Sequence, residues 1–262
     1  MRLDQALVAR GLIDSRSKAL DLIKLGVVKV NQRLILKPAK IIKSNDEISV
    51  NKNTFNWVSR GAKKLLFAIE VFAVKPEDKI VFDLGASTGG FTEVVLEQGA
   101  KKVYAIDVGY NQLHKKLKAD SRVRDLSPVD VRKINDLDLP NPEWLVADLS
   151  FISIVKALPV AMEMAKSGAY MVCLIKPQFE LSKKEVGKNG VVKSDTLRKF
   201  AVSKVVDFFI EENWKVLGIE PSPILGRSGN KEFLLLAKKN SEQPTLSDPD
   251  VLNIDPTKHK LA

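Results

Sequence analysis

Hydrophobic and polar positions change rhythm along this chain. From residue 80 onward, short apolar runs alternate with amphipathic stretches. The runs Ile80–Leu84, Val103–Asp107, Trp144–Asp148, Tyr170–Ile175, Lys215–Glu220 and Phe233–Lys238 have the length and composition of strands. Between them the apolar spacing predicts helices over Phe91–Gln98, Ile152–Ala165 and Thr196–Glu212. Such alternation predicts a mainly parallel sheet covered on both faces. The last two runs have no clear helix between them, which predicts an antiparallel edge. Upstream, Ser59 opens a helix through Leu65, Leu66, Ile69 and Phe72 that stops before Pro76.

The first fifty residues read differently. Leu3, Ala6 and Leu7 mark one short helical face, and Ser15-Arg16-Ser17-Lys18 opens a second helix closed by Gly26. Val27–Asn31 and Glu47–Val50 read as short strands around polar turns. The resulting division is a small α+β unit over residues 1–52, a linker over 53–60, an α/β domain over 61–239, and a mobile tail over 240–262.

Charge sharpens this picture. The 262-residue chain carries a formal net charge of +10, which points to an anionic partner. Residues 1–50 hold ten Lys/Arg against five Asp/Glu, so half of the excess lies in the first fifth of the chain. The single cysteine, Cys173, sits in an apolar run, excludes an internal disulfide framework and fits a reducing compartment. With neither a signal-peptide pattern nor an apolar run long enough to cross a bilayer, the expected location is cytoplasmic, without stable membrane association. A monomer is the default expectation.

The chemistry concentrates around Val81-Phe82-Asp83-Leu84-Gly85-Ala86-Ser87-Thr88-Gly89-Gly90-Phe91-Thr92. This is a strand, a glycine turn and a helix start, which in an open α/β sheet brings backbone N–H groups to the ligand crevice. Ser87 breaks the dinucleotide fingerprint, and Phe91 replaces the lysine of a phosphate-cradling loop. Asp107 follows at about the spacing used to bind a ribose. Acid at both edges and no phosphate cradle suit S-adenosylmethionine, a cationic nucleoside. Asp148 and Lys176 stand at strand ends, and Glu232 opens the final strand.

The glycine turn, Ala147-Asp148-Leu149-Ser150-Phe151 and Ile175-Lys176-Pro177-Gln178-Phe179 resemble the FtsJ-like ribose 2′-O-methyltransferases. More narrowly, the chain resembles the TlyA group, which joins that Rossmann-like class I methyltransferase sheet to an N-terminal S4 RNA-binding domain. Trp57–Leu65 is similar to the group's junction. Arg2-Leu3-Asp4, Ser15–Ala19 and Gly26–Asn31 are similar to S4 sequences. The resemblance implies a Lys-Asp-Lys-Glu tetrad of Lys64 (rather than Lys63), Asp148, Lys176 and Glu232. A neutral Lys176, helped by burial and by nearby Lys64, would take the proton from a ribose 2′-hydroxyl.

Geometry and resemblance together imply the cofactor set Asp83, Gly85, Ser87, Thr88, Gly89, Gly90, Phe91, Asp107, Asp130, Val131 and Asp148. The glycine turn would meet the methionine portion, Asp107 the ribose, and Asp130 and Val131 the adenine. Around Ser127 and Asp130 the chain departs from the Glu and Asn common in the family. No metal is required, and His114 and His259 are not spaced as ligands. The implied RNA contacts are Arg2, Arg16, Lys18, Lys24, Lys29 and Arg60, with Lys183, Lys184 and Lys188 in a basic loop. The implied reaction is methylation of rRNA ribose, with a cytidine target and ribosomal RNA or subunits as partners. Two other readings stay open: a non-catalytic S4 RNA-binding protein, and a membrane-active haemolysin.

Overall fold

The computed structural model describes residues 1–24, 28–35, 37–50, 57–187, 189–226 and 228–240, with the side chains of Asp21 and Lys24 also left aside. Gly26, Val27, linker residues 53–56, Lys188, the Lys24 side chain and the tail beyond Asn240 therefore lie outside the described residues. The chain divides into two compact units, Met1–Arg60 and Gly61–Ala262.

In the first unit, α1 (Leu3–Ala9) and α2 (Arg16–Lys24) accompany a three-stranded antiparallel sheet. Its strands β1 (Val28–Val30), β2 (Arg33–Leu34) and β3 (Ile48–Val50) lie in the order β2-β1-β3. Leu3, Leu7, Leu22, Ile23, Val28 and Ile42 form one core. The sequence reading omitted β2, whose two residues are both exposed and leave no apolar alternation. Its hairpin turn places Asn31 and Gln32 at positive φ, the backbone that a tight two-residue connection needs.

The second unit opens with α3 (Ala62–Val71), β4 (Ile80–Leu84), α4 (Gly90–Glu97), β5 (Lys102–Ile106), α5 (Lys115–Lys118) and β6 (Val123–Asp125). A 3-10 helix (Val131–Asp136), β7 (Trp144–Ala147), α6 (Ile154–Ala157), α7 (Pro159–Met164), β8 (Tyr170–Ile175) and α8 (Pro177–Glu180) follow. It closes with α9 (Asp195–Glu211), β9 (Trp214–Pro221) and β10 (Phe233–Lys239). The seven strands lie in the order β6-β5-β4-β7-β8-β10-β9. The first five are parallel, and β10 runs antiparallel between β8 and β9. The expected antiparallel edge is therefore present, with β10 as the reversed strand and β9 outermost.

This is the α/β class expected, a parallel-rich sheet in one unit and a small α+β fold in the other. Phe82, Leu84, Ile106, Leu145, Met171 and Cys173 are fully or almost fully buried in its core. Each large side chain of that kind contributes roughly 1.5–3 kcal/mol by leaving water.

Two local expectations are corrected and one strand is added. The single helix over Ile152–Ala165 is two, α6 and α7, because Pro159 has no N–H to continue the ladder. The helix expected from Ser59 begins at Ala62, after Gly61. β6, only three residues long with Arg124 exposed, had no apolar run to announce it.

Candidate active site

The carboxyl ends of β4, β5, β7 and β8 lie side by side, and the candidate residues collect there. After β4 the chain turns at Gly85, whose φ is +85°, and a Cβ there would fall 2.9 Å from the Asp148 carbonyl oxygen. Glycine is thus needed for both conformation and space. Gly89, at φ +95°, caps α4, and its missing Cβ leaves room for Leu113 and Leu117. Phe91 is buried behind the turn.

The two acids flanking this turn have different surroundings. Asp83 is fully buried and accepts from Thr92 Oγ1 at 2.6 Å through Oδ2. Its Oδ1 has no hydrogen-bond partner among the described residues. Burial pushes its carboxyl up to about 7, reinforced by the negative charges of Asp148 and Asp107 and opposed by the hydrogen bonds from Thr92. Asp107 accepts from the Ser87 N–H at 2.8 Å and the Gly109 N–H at 2.7 Å, one on each carboxylate oxygen. Ser87 sits at φ +49° and donates its hydroxyl to Gln112 Oε1 at 3.1 Å. The Asp107 carboxylate is therefore aimed by backbone donors from both adjoining loops.

Farther along, the Val129 N–H donates to the Asp107 carbonyl, laying the segment after β6 beside β5. Asp130 opens the 3-10 helix by accepting from the Arg132 N–H at 3.0 Å. The Arg132 guanidinium also grips its carboxylate and holds it well down, at about 2. Val131 is buried beneath. The carboxylate read as an adenine contact is thus already shared with an arginine.

Lysine–carboxylate pairs build the other side. Lys176 Nζ lies 2.5 Å from Asp148 Oδ1 and donates to Ser150 Oγ at 2.8 Å. Lys64, from α3, lies 2.5 Å from Glu232 Oε2, an ion pair between residues 168 positions apart. Lys64, Lys176 and Glu232 are buried, and Asp148 is partly exposed. The β8–β10 ladder pairs Ile175 with Phe233, so Lys176 and Glu232 leave the same end of the sheet side by side. Gly226 makes room here, since a Cβ would fall 2.3 Å from Glu232 Oε1. All four tetrad residues are therefore salt-bridged at the sheet's carboxyl end or reach into it.

Sequence reasoning gave no role to Ser150, Phe151, Phe179 or Glu180. Phe151 is 92% exposed at φ +65°, and its ring lies 5.3 Å from that of Phe179. An aromatic residue held in the open beside Asp148 is an unusual expenditure of apolar surface. In the sequence it stands beside Leu149 and Ile152, so periodicity cannot distinguish it from core.

In the first unit, Asp4 is fully buried between two arginines: Arg2 Nε donates to it at 2.9 Å and Arg16 Nε at 2.7 Å. Burial pushes the Asp4 carboxyl up, but these two guanidiniums outweigh it and hold the group below its usual value. Both arginines remain substantially exposed while their guanidinium planes are fixed. Lys18 lies 3.5 Å from Asp14 and Lys29 is exposed. In the second unit Lys183 and Lys184 are exposed beyond α8, and Arg60, in the first, is half-buried.

Comparison with known proteins agrees with this architecture. Residues 57–239 match the FtsJ-like methyltransferase family and residues 1–48 match the S4 domain. Hemolysin A from Brachyspira hyodysenteriae is 41% identical over 89% of this chain and 98% of its own length. The 16S/23S rRNA (cytidine-2'-O)-methyltransferase TlyA from Mycobacterium tuberculosis (strain ATCC 25618 / H37Rv) is 40% identical over 92% of this chain and 91% of its own. A solved structure described as a hemolysin from Streptococcus thermophilus is similar with a TM-score of 0.74 at 37% identity, covering 92% of this chain and 89% of that one. An S4 match followed by an FtsJ-like match, with identity at this level over nearly the whole length, makes the chain a member of the TlyA family.

Proposed function

We propose that this protein is an S-adenosylmethionine-dependent rRNA methyltransferase that modifies a ribose 2′-hydroxyl, with a cytidine as its target. The observation that carries the reading is the pair of lysine–carboxylate bridges, Lys176–Asp148 and Lys64–Glu232, at the sheet end that also bears the glycine turn. Support for the target class comes from the TlyA relative named for cytidine-2'-O methylation of 16S and 23S rRNA.

The residues present fit the cofactor. Among the described residues, one carboxylate oxygen of buried Asp83 has no partner, and at the glycine turn it is an acceptor suited to an ammonium group. Asp107, aimed by two backbone donors, retains lone pairs for ribose hydroxyls. Gly85 and Gly89 keep the turn free of side chains, and Val131 offers an apolar border. When bound, S-adenosylmethionine supplies the methyl group as an activated sulfonium substituent.

The chain's own contribution is to prepare the hydroxyl. A ribose 2′-hydroxyl is a weak nucleophile until its proton leaves, so a base must be within hydrogen-bond reach of it. Lys176 Nζ is the side-chain nitrogen placed to take that proton. Asp148 and Ser150 fix the position of Nζ, and Asp148 stabilises the ammonium once it forms. Lys64, held by Glu232, would supply a second cation to the developing charge. Much of the acceleration then comes from holding two reactants in one geometry. Phe151, exposed and backed by Phe179, offers a face on which a nucleobase turned out of its stack can rest. On the S4 unit, Arg2 and Arg16 present fixed guanidiniums to RNA phosphates.

The test is transfer of labelled methyl groups to purified large and small ribosomal subunits lacking native ribose methylation, with products mapped to the nucleotide. Wild-type protein should label a cytidine ribose. Lys176→Ala should lose at least about a thousandfold in rate while binding S-adenosylmethionine normally. Transfer by Lys176→Ala at the wild-type rate would remove this residue from the mechanism.

A further inference from the structure

Two segments carry most of the candidate chemistry, Asp148–Ser153 after β7 and Lys176–Glu180 after β8, and they are joined at three levels. At one end Lys176 Nζ reaches Asp148 and Ser150. In the middle the rings of Phe151 and Phe179 pack at 5.3 Å. At the far end lies Glu180, a carboxylate the mechanism above does not use. It is only 4% exposed. Its Oε2 accepts from Ser153 Oγ at 2.5 Å and its Oε1 from the Ile154 N–H at 2.9 Å. Ser153 is the N-cap residue of α6, yet its own side chain caps nothing, and Glu180 supplies an acceptor from another segment. Lys204 Nζ donates to the Glu180 carbonyl at 3.0 Å and anchors the segment from α9.

We propose that Glu180 is a positioning residue for methyl transfer: by clamping the Ser153–Ile154 end of one segment to the end of the other, it sets where Asp148, Ser150 and Phe151 stand against Lys176. The inference rests on the reading that Lys176 and Asp148 carry the reaction. Its physical basis is the cost of leaving a buried carboxylate this way. Burial pushes the Glu180 carboxyl up, only partly offset by the hydrogen bonds from Ser153 and Ile154. An N-cap side chain takes the N–H of the second or third helical residue, so the Ile154 N–H at the first position of α6 is left for Glu180. A long side chain brought from the β8 segment adds what a local cap does not, a fixed distance between the two segments. A shift of about 1 Å in such a distance costs on the order of a hundredfold in rate.

The test uses the full chain, tritiated S-adenosylmethionine and ribosomal subunits lacking ribose methylation. Glu180→Ala, Glu180→Gln, Ser153→Ala and Lys176→Ala are compared for kcat, KM for the subunit, cofactor Kd and thermal midpoint. Glu180→Ala should lower kcat about ten- to a hundredfold with cofactor Kd unchanged. Glu180→Gln should recover kcat to within about threefold of wild type, because its amide oxygen can accept from Ile154 and its NH2 can donate to the Ser153 hydroxyl. Ser153→Ala, which removes one of the two contacts, should fall between and serves if Glu180→Ala does not fold. Wild-type kcat in Glu180→Ala or, if that variant does not fold, in Ser153→Ala would overturn the proposal. So would equal loss in the Ala and Gln variants with Ser153→Ala unaffected. Wild-type activity in Lys176→Ala would instead sink the parent reading of the site, a separate result.

Discussion

At the scale of single residues, burial decides what each acid can do. Asp83 and Asp107 flank one turn, yet Asp83 is fully buried, with one carboxylate oxygen unpartnered among the described residues, and Asp107 is held by two backbone donors at the rim. Because the folded Asp83 carboxyl lies at about 7 against 3.8 for an ordinary aspartate, the folded state binds more protons than the unfolded state between those pH values. Stability therefore falls as pH rises through that window, by up to roughly 1.4 kcal/mol per pH unit from this group alone. Below the window the group contributes no pH dependence, and above about 7 its cost is fully present. Asp83→Asn should erase this dependence: in denaturant unfolding the variant should gain on wild type as pH rises from about 4.5 to about 7.5. A constant difference across that range would show that Asp83 does not titrate there.

At the scale of elements, the β9–β10 connection shows how a small residue serves a charged one. Gly226 has no positive φ to demand glycine, but its empty side holds the Glu232 carboxylate. Gly226→Ala would displace the flexible end of Glu232 rather than the backbone, so folding should lose no more than about 1 kcal/mol. The Lys64–Glu232 bridge, however, would be reset, and methyl transfer should fall about tenfold or more. Thermal midpoint and single-turnover rate measured on the same preparation distinguish the two effects. A large fall in stability with normal turnover per folded molecule would place the role of Gly226 in folding alone. The sequence made this connection legible only as a helix-free link to an antiparallel edge, since nothing local reveals which side chain will lean into a glycine.

At the scale of the whole molecule, a basic unit precedes an α/β methyltransferase domain, and their charges play different parts. Lys18 and Lys29 can be removed without touching Asp4, whereas Arg16 is one of its two partners. The double variant Lys18→Ala/Lys29→Ala should weaken RNA binding and lower the salt dependence of log K by about one to two units, with cofactor affinity unchanged. Arg16→Ala should weaken RNA binding and also cost about 1–2 kcal/mol of stability, because a buried carboxylate loses a donor. Filter binding across a salt series, paired with thermal unfolding, checks both. An unchanged salt slope in the lysine double variant would move the RNA contact elsewhere.

The sequence alone determined the class of the large domain, because strand-length apolar runs alternating with helical spacing have few other solutions. It also determined the glycine turn and the strand-end positions of Asp148 and Lys176, since each depends on neighbours in the chain. It was silent on β6 and on the division of α6 from α7, where three-residue strands and a well-placed proline leave weak or ambiguous patterns. Only tertiary structure decided the partnerships: Lys64 with Glu232 across 168 residues, Glu180 with the α6 terminus, and Arg2 and Arg16 with Asp4. The reason is physical. Secondary structure follows from local periodicity, whereas an ion pair forms between whichever charges the packed elements bring within hydrogen-bond reach, and burial, which sets their energies, exists only once the chain is folded.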